Sequence, residues 1–232
     1  MTGEASSARG LVLRYFSQLQ DLYGDRLLVA DVPSWLGAPV HPSLDAFERA
    51  ICGCQKCPLG QTRTRFVFGV GNPGARLVLV GEAPGREEDL KGEPFVGKAG
   101  HLLDRILKAI ELTRRDVYIC NVLKCRPPGN RTPSADEIDT CLPYLETQLE
   151  MIKPSLIVAL GGVAAHALLS VKTPIGQLRS RLWRWKSYDL LVTYHPAALL
   201  RNERLKRPAW EDFQEVQRIL GLRKRPPAGK EG

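Results

Sequence analysis

The sequence predicts an α/β fold, a three-layer α/β/α sandwich around a central four-stranded parallel sheet. Four short segments are rich in Val, Ile and Leu and do not alternate with polar residues, which is typical of strands buried on both faces of a parallel sheet. Stretches with helical spacing lie between these segments. The predicted strands are Leu77 to Val80, Val117 to Cys120, Leu156 to Leu160 and Leu190 to Thr193.

The intervening segments carry apolar residues three and four positions apart, which predicts amphipathic helices. The three stripes are Leu102, Leu103, Ile106, Leu107 and Ile110; Ile138, Leu142, Leu145 and Leu149; and Val163, Ala167 and Leu168 after Gly161-Gly162. Strands and helices therefore alternate along the chain. That order predicts parallel strands joined by crossover helices that cover both faces of the sheet.

The predicted domain occupies residues 46–220. Residues 1–45 are expected to form an N-terminal helical extension and linker, since Leu11, Tyr15, Leu19 and Leu22 have helical spacing and a Pro-rich stretch follows them. Residues 221–232 have no apolar periodicity and are expected to be a disordered basic tail.

The composition narrows the class of protein. The chain has 232 residues, 44% of them hydrophobic, and a formal net charge of +8. These values exclude a fibrous or wholly disordered chain and favour a polyanionic partner. The N-terminus shows no signal-peptide pattern, and no apolar run approaches the roughly 20 residues that span a bilayer. We therefore expect a cytoplasmic protein with no membrane partner.

Polar residues, glycines and prolines follow all four predicted strands. In open parallel sheets, ligands bind beyond the carboxyl ends of the strands, so these positions are the candidate site. The segments are Gly81 to Gly85, Asn121 to Pro128, Gly161-Gly162 and His195-Pro196. Glycine and proline also punctuate ordinary strand-to-helix connections, but their presence at all four ends favours a functional edge.

The six cysteines indicate a metal site, since disulfides are rare in a reducing compartment. Cys54 and Cys57 form a C-x2-C pair, and 15 residues lie between Cys125 and Cys141. Four thiolates suit zinc or an iron–sulfur cluster, and the long spacer argues mildly against a zinc ribbon. Cys120 is expected to be a buried apolar residue, and Cys52 is an alternative ligand to Cys54.

The chain carries six motifs in order: Cys54-x2-Cys57, Gly81-Glu-Ala-Pro-Gly85, Phe95-Val-Gly-Lys98, Asn121-Val-Leu-Lys-Cys-Arg-Pro-Pro128, Cys141 and His195-Pro-Ala-Ala-Leu199. Together they resemble the family 4, iron–sulfur uracil-DNA glycosylases, and Lys206-Arg-Pro-Ala-Trp210 strengthens the match. The resemblance covers residues 46–220. It implies a monofunctional DNA glycosylase that hydrolyses the N-glycosidic bond of flipped-out uracil, the first step of base excision repair.

The resemblance also implies a 4Fe-4S cluster on Cys54, Cys57, Cys125 and Cys141, with a structural role. The implied partner is uracil-containing DNA, single- or double-stranded, and the protein is expected to be a monomer. The rival interpretations are a relative that becomes covalently trapped on uracil-DNA and a noncatalytic iron–sulfur or zinc module that binds nucleic acid. The trapped relatives carry a GEQPG-type motif, whereas this chain has Ala83 at the third position.

Three implied residues contact the base. Asn121 would match the N3–H and O4 groups of uracil, because its amide offers one acceptor and one donor. Phe95 would stack on the ring, and His195 would donate to O2 as negative charge develops on the departing base. An amide that could flip would accept cytosine as well. We therefore expect a hydrogen bond from the backbone of residues 122–126 to lock the Asn121 side chain.

Glu82 and Asn130 are the candidates for holding the attacking water. The family's relatives place Asp or Asn near Glu82, so the identity of the base is open, and the backbone of Gly81 and Ala83 would help to orient the water. Glu88 is expected to crowd the C5 position of uracil and so exclude the methyl group of thymine. Its alternative interpretation is a solvated residue in the first turn of a helix.

The remaining candidates contact DNA outside the base. Leu199 or Leu200 would be the apolar wedge that fills the vacated stack, with Leu199 preferred. Arg201, Lys206 and Arg207 would contact phosphates, or else belong to a solvated charged surface.

Overall fold

The computed structural model describes residues 43–222. The predicted helical stripe from Leu11 to Leu22 and nearly all of the predicted basic tail lie outside the described residues. The division of the chain into an extension, a domain and a tail therefore stays a prediction. Within the described range, no helix combines the length and apolar character needed to cross a membrane.

The sheet has six strands in the order β1-β3-β2-β4-β6-β5. They are β1 (Val70–Gly71), β2 (Leu77–Gly81), β3 (Tyr118–Asn121), β4 (Leu156–Leu160), β5 (Trp183–Trp185) and β6 (Tyr188–Thr193). The four central strands, β3, β2, β4 and β6, are all parallel, which confirms the predicted parallel sheet. The two edge strands, β1 and β5, pair antiparallel with their neighbours and were not predicted.

Nine helices accompany the sheet in the described part of the chain. They are α1 (Leu44–Ile51), α2 (Leu59–Thr62), α3 (Arg86–Lys91), α4 (Lys98–Ala109), α5 (Ala135–Ile152), α6 (Gly162–Leu169), α7 (Ile175–Leu178), α8 (Pro196–Arg201) and α9 (Lys206–Leu220). Short 3-10 helices occupy Pro128–Asn130 and Glu203–Leu205. The three apolar stripes of the sequence fall on α4, α5 and α6.

Alternate residues of the central strands enter two separate apolar clusters, one on each face of the sheet. On one face Val78, Cys120 and Ile157 pack with α1, α5 and α6. On the other face Leu79 and Val158 pack with α4 and α9. The predicted three-layer sandwich is therefore confirmed.

Four helices of the described chain, α3, α4, α6 and α8, begin at the carboxyl edge of the sheet. Helices α3, α4 and α8 have Gly85, Gly97 and His195 as their N-cap residues, all in extended conformation. Because parallel strands end on the same edge, these helix starts and the ends of β2, β3, β4 and β6 surround one region.

Candidate functional site

Four residues define what we call the strand-end pocket: Gly81, Phe95, Asn121 and His195. Gly81 and Asn121 are register partners at the ends of β2 and β3. A Cβ atom on Gly81 would lie 2.3 Å from Asn121 Oδ1 and 2.7 Å from Phe95 Cζ. Because no side chain fits there, the glycine allows Asn121 and Phe95 to close over the strand end.

Asn121 is 2% exposed, and its Oδ1 is buried without a hydrogen-bond partner. The predicted hydrogen bond from the backbone of residues 122–126 to the Asn121 side chain is therefore absent at this oxygen. Its main-chain oxygen instead accepts a 2.8 Å hydrogen bond from Lys124 Nζ. A buried acceptor without a donor costs free energy, and a ligand that brings a donor to this oxygen would remove that cost.

Lys124 is fully buried, which sequence reasoning missed because lysines in loops are usually solvated. Its Nζ also donates to Gln148 Oε1 at 2.5 Å, and Gln148 Nε2 donates to the Phe68 oxygen at 3.0 Å. Burial lowers the pKa of Lys124. The side chain therefore ties the end of β3 to α5 from inside the protein.

Phe95 has a left-handed backbone, with φ +54°, and its side chain is buried. Its ring centroid lies 5.4 Å from that of His195, with 31° between the ring planes. A Cβ at Gly100 would stand 1.7 Å from the Phe95 oxygen, so the loop and the first turn of α4 are in close contact. The Phe95 ring thus forms one wall of the strand-end pocket.

The His195 ring has a defined tautomer. Its Nδ1 accepts a 3.1 Å hydrogen bond from the Ala197 N–H, so in the neutral ring the proton is on Nε2. Burial, together with the positive charge of Arg201, lowers the pKa of His195 to about 4. At neutral pH the residue is therefore an uncharged imidazole whose Nε2–H is the donor.

Glu82 and Ala83 are half-buried at the end of β2, and burial raises the pKa of Glu82. Glu88 accepts hydrogen bonds from three backbone N–H groups, at Gly85 (3.1 Å), Val96 (2.9 Å) and Gly97 (3.0 Å). Its carboxylate therefore joins the loop after β2 to the Phe95 loop. Sequence reasoning missed this bracing contact, and the predicted role of Glu88 at the C5 position stays a prediction.

Asn130 is exposed in the short 3-10 helix and has φ +56°, a conformation that asparagine tolerates well. Its Oδ1 accepts a 2.7 Å hydrogen bond from Arg126 Nε. The following residue, Arg131, makes a bidentate ion pair with Glu137 on α5 at 2.6 and 2.8 Å. These contacts anchor the loop that presents Asn130.

The candidate DNA contacts lie on α8 and at the start of α9. Leu199 is 2% exposed, so its assignment as the wedge is corrected: Leu200, at 44% exposure, is the leucine at the surface. Arg201 is exposed, and no ion pair of its side chain is found in the described range. Lys206 pairs with Glu203 at 2.5 Å, and Arg207 pairs with Glu211 at 3.4 Å.

Four cysteines, here called the cysteine corner, come from three segments: Cys54 and Cys57 between α1 and α2, Cys125 after β3 and Cys141 on α5. Burial raises the pKa of Cys125, and the nearby Cys57 and Cys54 add to the increase. The pKa of Cys141 is raised to about 11, again mainly by burial, with Cys125 and Cys57 contributing. The four thiols are therefore electrostatic neighbours.

Donors surround the sulfurs of the cysteine corner. Cys141 Sγ accepts from the Lys124 N–H at 3.4 Å, and Cys54 Sγ accepts from the Tyr144 hydroxyl at 3.2 Å. Arg63 donates to Cys125 Sγ at 3.2 Å and to the Cys54 oxygen at 2.7 Å. Among residues 43–222, however, no three His, Cys, Asp or Glu side chains are grouped closely enough to hold a metal ion.

A family model for the uracil DNA glycosylase superfamily matches residues 68–214, more than half of the chain. A type-4 uracil-DNA glycosylase of Archaeoglobus fulgidus is 47% identical over 187 residues, which cover 77% of this chain and 94% of the relative. A type-4 relative from Thermotoga maritima is 44% identical over 72% of this chain and 89% of its own length.

A type-5 uracil-DNA glycosylase of Thermus thermophilus is more distant, at 30% identity over 54% of this chain and 72% of its own length. The chain therefore belongs to the uracil DNA glycosylase superfamily and, within it, to the type-4 group. The resemblance expected from the six motifs is confirmed.

Proposed function

We propose that this chain hydrolyses the N-glycosidic bond between uracil and deoxyribose in DNA, the first step of base excision repair. The observation that carries the proposal is the unpaired, buried Asn121 Oδ1 beside Phe95 and Gly81. A flipped pyrimidine with an N3–H supplies the donor that this oxygen lacks. The type-4 relatives are uracil-DNA glycosylases, which supports the same substrate here.

Base recognition rests on the Asn121 amide. With Oδ1 accepting from N3–H, Nδ2 is left to donate to O4 of uracil. Cytosine presents an acceptor at N3 and a donor at the neighbouring position, so it mismatches both atoms of this amide. Fixing the main chain of Asn121 through Lys124 limits how far the amide can move to accommodate the wrong base.

Departure of the base is assisted by His195. Its Nε2–H donates to O2 as negative charge builds on the leaving uracil. A neutral donor suffices, because the hydrogen bond strengthens as the charge develops and no proton needs to be transferred. The Ala197 N–H keeps the proton on Nε2, and the buried site keeps the ring uncharged at neutral pH.

Glu82 and Asn130 are proposed to orient the attacking water on the far face of a sugar with oxocarbenium character. The pKa of Glu82 is raised by burial, which increases the proton affinity of its carboxylate. Asn130 is held in place by Arg126 through its Oδ1, which leaves its amide nitrogen to donate. Gly81 and Ala83 flank Glu82 and contribute backbone to this part of the site.

We propose that Cys54, Cys57, Cys125 and Cys141 hold a 4Fe-4S cluster. The fit rests on the donor set, because the four thiols are mutual electrostatic neighbours and N–H or O–H groups already contact three of the sulfurs. A cluster of several irons keeps its thiolates farther apart than a single zinc ion does. When bound, the group would supply a rigid covalent link among the three segments.

DNA binding is proposed for the surface that carries Leu200, Arg201, Lys206 and Arg207. The exposed Leu200 would fill the gap left by the flipped base, and the basic residues would contact phosphates. Uracil in single- or double-stranded DNA is the proposed partner. A monomeric state and a cytoplasmic location stay predictions.

The test is release of free uracil from a defined oligonucleotide by the purified full-length protein. The control oligonucleotide carries thymine at the same position. We expect uracil release, an abasic product and no adduct on a denaturing gel. Binding without release would favour the noncatalytic module, and a DNA adduct that survives denaturation would favour the covalently trapped relative. Iron and sulfide analysis of the same sample tests the cluster.

A further inference from the structure

The Phe95 loop is held in a conformation that it would not keep alone. A phenylalanine at φ +54° is uncommon, since its Cβ crowds the backbone in the left-handed region. Such conformations persist where surrounding contacts over-determine them. The side chain of Phe95 is nevertheless buried and stands against His195, so the strained residue is one wall of the strand-end pocket.

Arg114, from the connection between α4 and β3, supplies the contacts on the carbonyl side of this loop. Its Nη1 donates to the Pro94 oxygen at 3.1 Å, and its Nη2 donates to the Phe95 oxygen. Its Nε donates to Asp104 Oδ1 at 2.6 Å, which fixes the guanidinium to α4. The planar fork of an arginine is suited to this, because all three bonds lie near one plane.

Two further contacts show that the loop is clamped from opposite sides. Glu88 accepts from the N–H groups of Val96 and Gly97, whereas Arg114 donates to the carbonyls of Pro94 and Phe95. The N–H groups after Phe95 and the carbonyls at and before it are thus each bound by a charged side chain. Both side chains bind the backbone of the loop, and none of these hydrogen bonds involves the Phe95 ring.

We infer that Arg114 is a positioning residue that holds the Phe95 ring ready to stack on the base. The expected change in kinetics rests on the proposed function, whereas the expected loosening of the Phe95 loop does not. Without Arg114 the two carbonyls lose their donors and the left-handed Phe95 relaxes. Stacking is made to the base both before and during bond cleavage, so weaker stacking raises KM and weakens binding of free uracil more than it lowers kcat.

The experiment compares Arg114→Gln with Arg115→Gln in the full-length protein. Arg115 is the adjacent, exposed arginine, so the control removes the same charge without touching the loop. We expect hydrogen–deuterium exchange to become faster in the peptide around Val96 and Gly97 only for Arg114→Gln, while exchange in β4 stays unchanged. Equal exchange in the two variants would overturn the inference, whether or not the protein excises uracil.

The kinetic arm measures KM, kcat and inhibition by free uracil. Arg114→Gln should raise KM and weaken uracil inhibition by about tenfold, the order of one base–aromatic stack, with a smaller change in kcat. In a Phe95→Ala background the same substitution should have little further effect. Additive losses would contradict action through Phe95. Absence of uracil release by the wild-type protein would refute the proposed function and leave the exchange result to decide the role of Arg114.

Discussion

The strand-end pocket and the cysteine corner lie at the same edge of the sheet, but they differ in what holds them together. The walls of the pocket are fixed by hydrogen bonds within the protein, such as Ala197 N–H to His195 Nδ1, and Asn121 Oδ1 is left without a donor. The cysteine corner places four like groups together: Cys54 and Cys57 raise the pKa of Cys125, and Cys57 and Cys125 raise the pKa of Cys141. A pocket for a neutral base can therefore be built in advance, whereas a set of thiolates needs positive charge from outside.

Lys124 joins the two regions. Its main-chain N–H donates to Cys141 Sγ, and its Nζ donates to the main-chain oxygen of Asn121. We therefore expect substitutions in the cysteine corner to disturb the strand-end pocket as well. Substitutions in the pocket should leave the cysteine corner unchanged. Cys125→Ala and His195→Ala test the two sides of this asymmetry.

The largest effect is expected for Cys125→Ala. Removing the Cys125 thiolate leaves three of the four proposed ligands, so iron should be lost. The free energy of unfolding should fall by about 4 kcal/mol or more. Iron content and denaturant unfolding measure this. The control is Cys120→Ala, which removes a fully buried cysteine of β3 and should keep its iron. Full iron with stoichiometry like wild type in Cys125→Ala would exclude Cys125 as a ligand.

His195→Ala should lower the single-turnover rate by roughly 10² to 10³ and leave DNA affinity and iron content unchanged. The lost donor acts mainly on charge that appears in the transition state. Rates measured by rapid quench, with binding measured separately, test both parts. A wild-type rate in this variant would remove His195 from the site.

His195 also has a pH signature. The unfolded ring takes up a proton near its ordinary pKa of 6.5, but the folded ring does so only near 4. Unfolding therefore binds protons between these values, and His195 lowers the stability by on the order of 2 kcal/mol as the pH falls from 6.5 toward 4. Denaturant unfolding across this range should show a smaller loss for His195→Ala. Equal pH dependence in the two proteins would contradict a buried neutral ring.

Asn121→Asp should reduce uracil excision by at least tenfold, because a second acceptor replaces the donor that faces O4. A protonated aspartic acid can donate to N3 of cytosine and accept from its amine. Faint cytosine excision should therefore appear and grow as the pH falls toward the carboxyl pKa. Single-turnover assays on paired uracil and cytosine oligonucleotides measure it, and unchanged base preference would show that Asn121 does not read the base.

The smallest effects are expected on the DNA surface. Each phosphate contact adds about 0.9 to the slope of log affinity against log salt on duplex DNA. Arg201→Ala should flatten that slope by about one contact. Lys206→Ala and Arg207→Ala should each flatten it less, because Glu203 and Glu211 already pair with these side chains. Salt slopes equal to that of the wild-type protein in all three variants would show that these side chains do not contact phosphates.

The sequence was sufficient to predict the central sheet, because strands buried on both faces are continuous apolar runs. It did not reveal β1, which has only two residues, or β5, whose three residues Trp-Arg-Trp give too short an alternation of apolar and polar residues. The choice of Leu199 over Leu200 was wrong because one residue of helical phase decides which leucine faces the core.

Gly81, Asn121 and His195 were predicted because each lies at or just after the end of a strand, and strand ends meet at one edge. Phe95 lies between α3 and α4 and was predicted from the resemblance alone. The residues that hold them were not predicted. Arg114 reaches Phe95 across 19 positions of sequence, and Lys124 reaches Gln148 across 24. Contacts of this kind depend on how helices dock on the sheet, and a charged residue in a loop carries no local pattern that distinguishes a buried brace from a solvated side chain.

The burial of Lys124 also makes it a chemical reporter. Amine-reactive reagents need an accessible, unprotonated amine, and this one is enclosed on every side in the folded protein. Surface lysines will be acylated within the native state, but Lys124 will react only through an opening that breaks the core. The rate at which its peptide gains an acyl group, read by mass spectrometry, therefore measures how often the core around Lys124 opens.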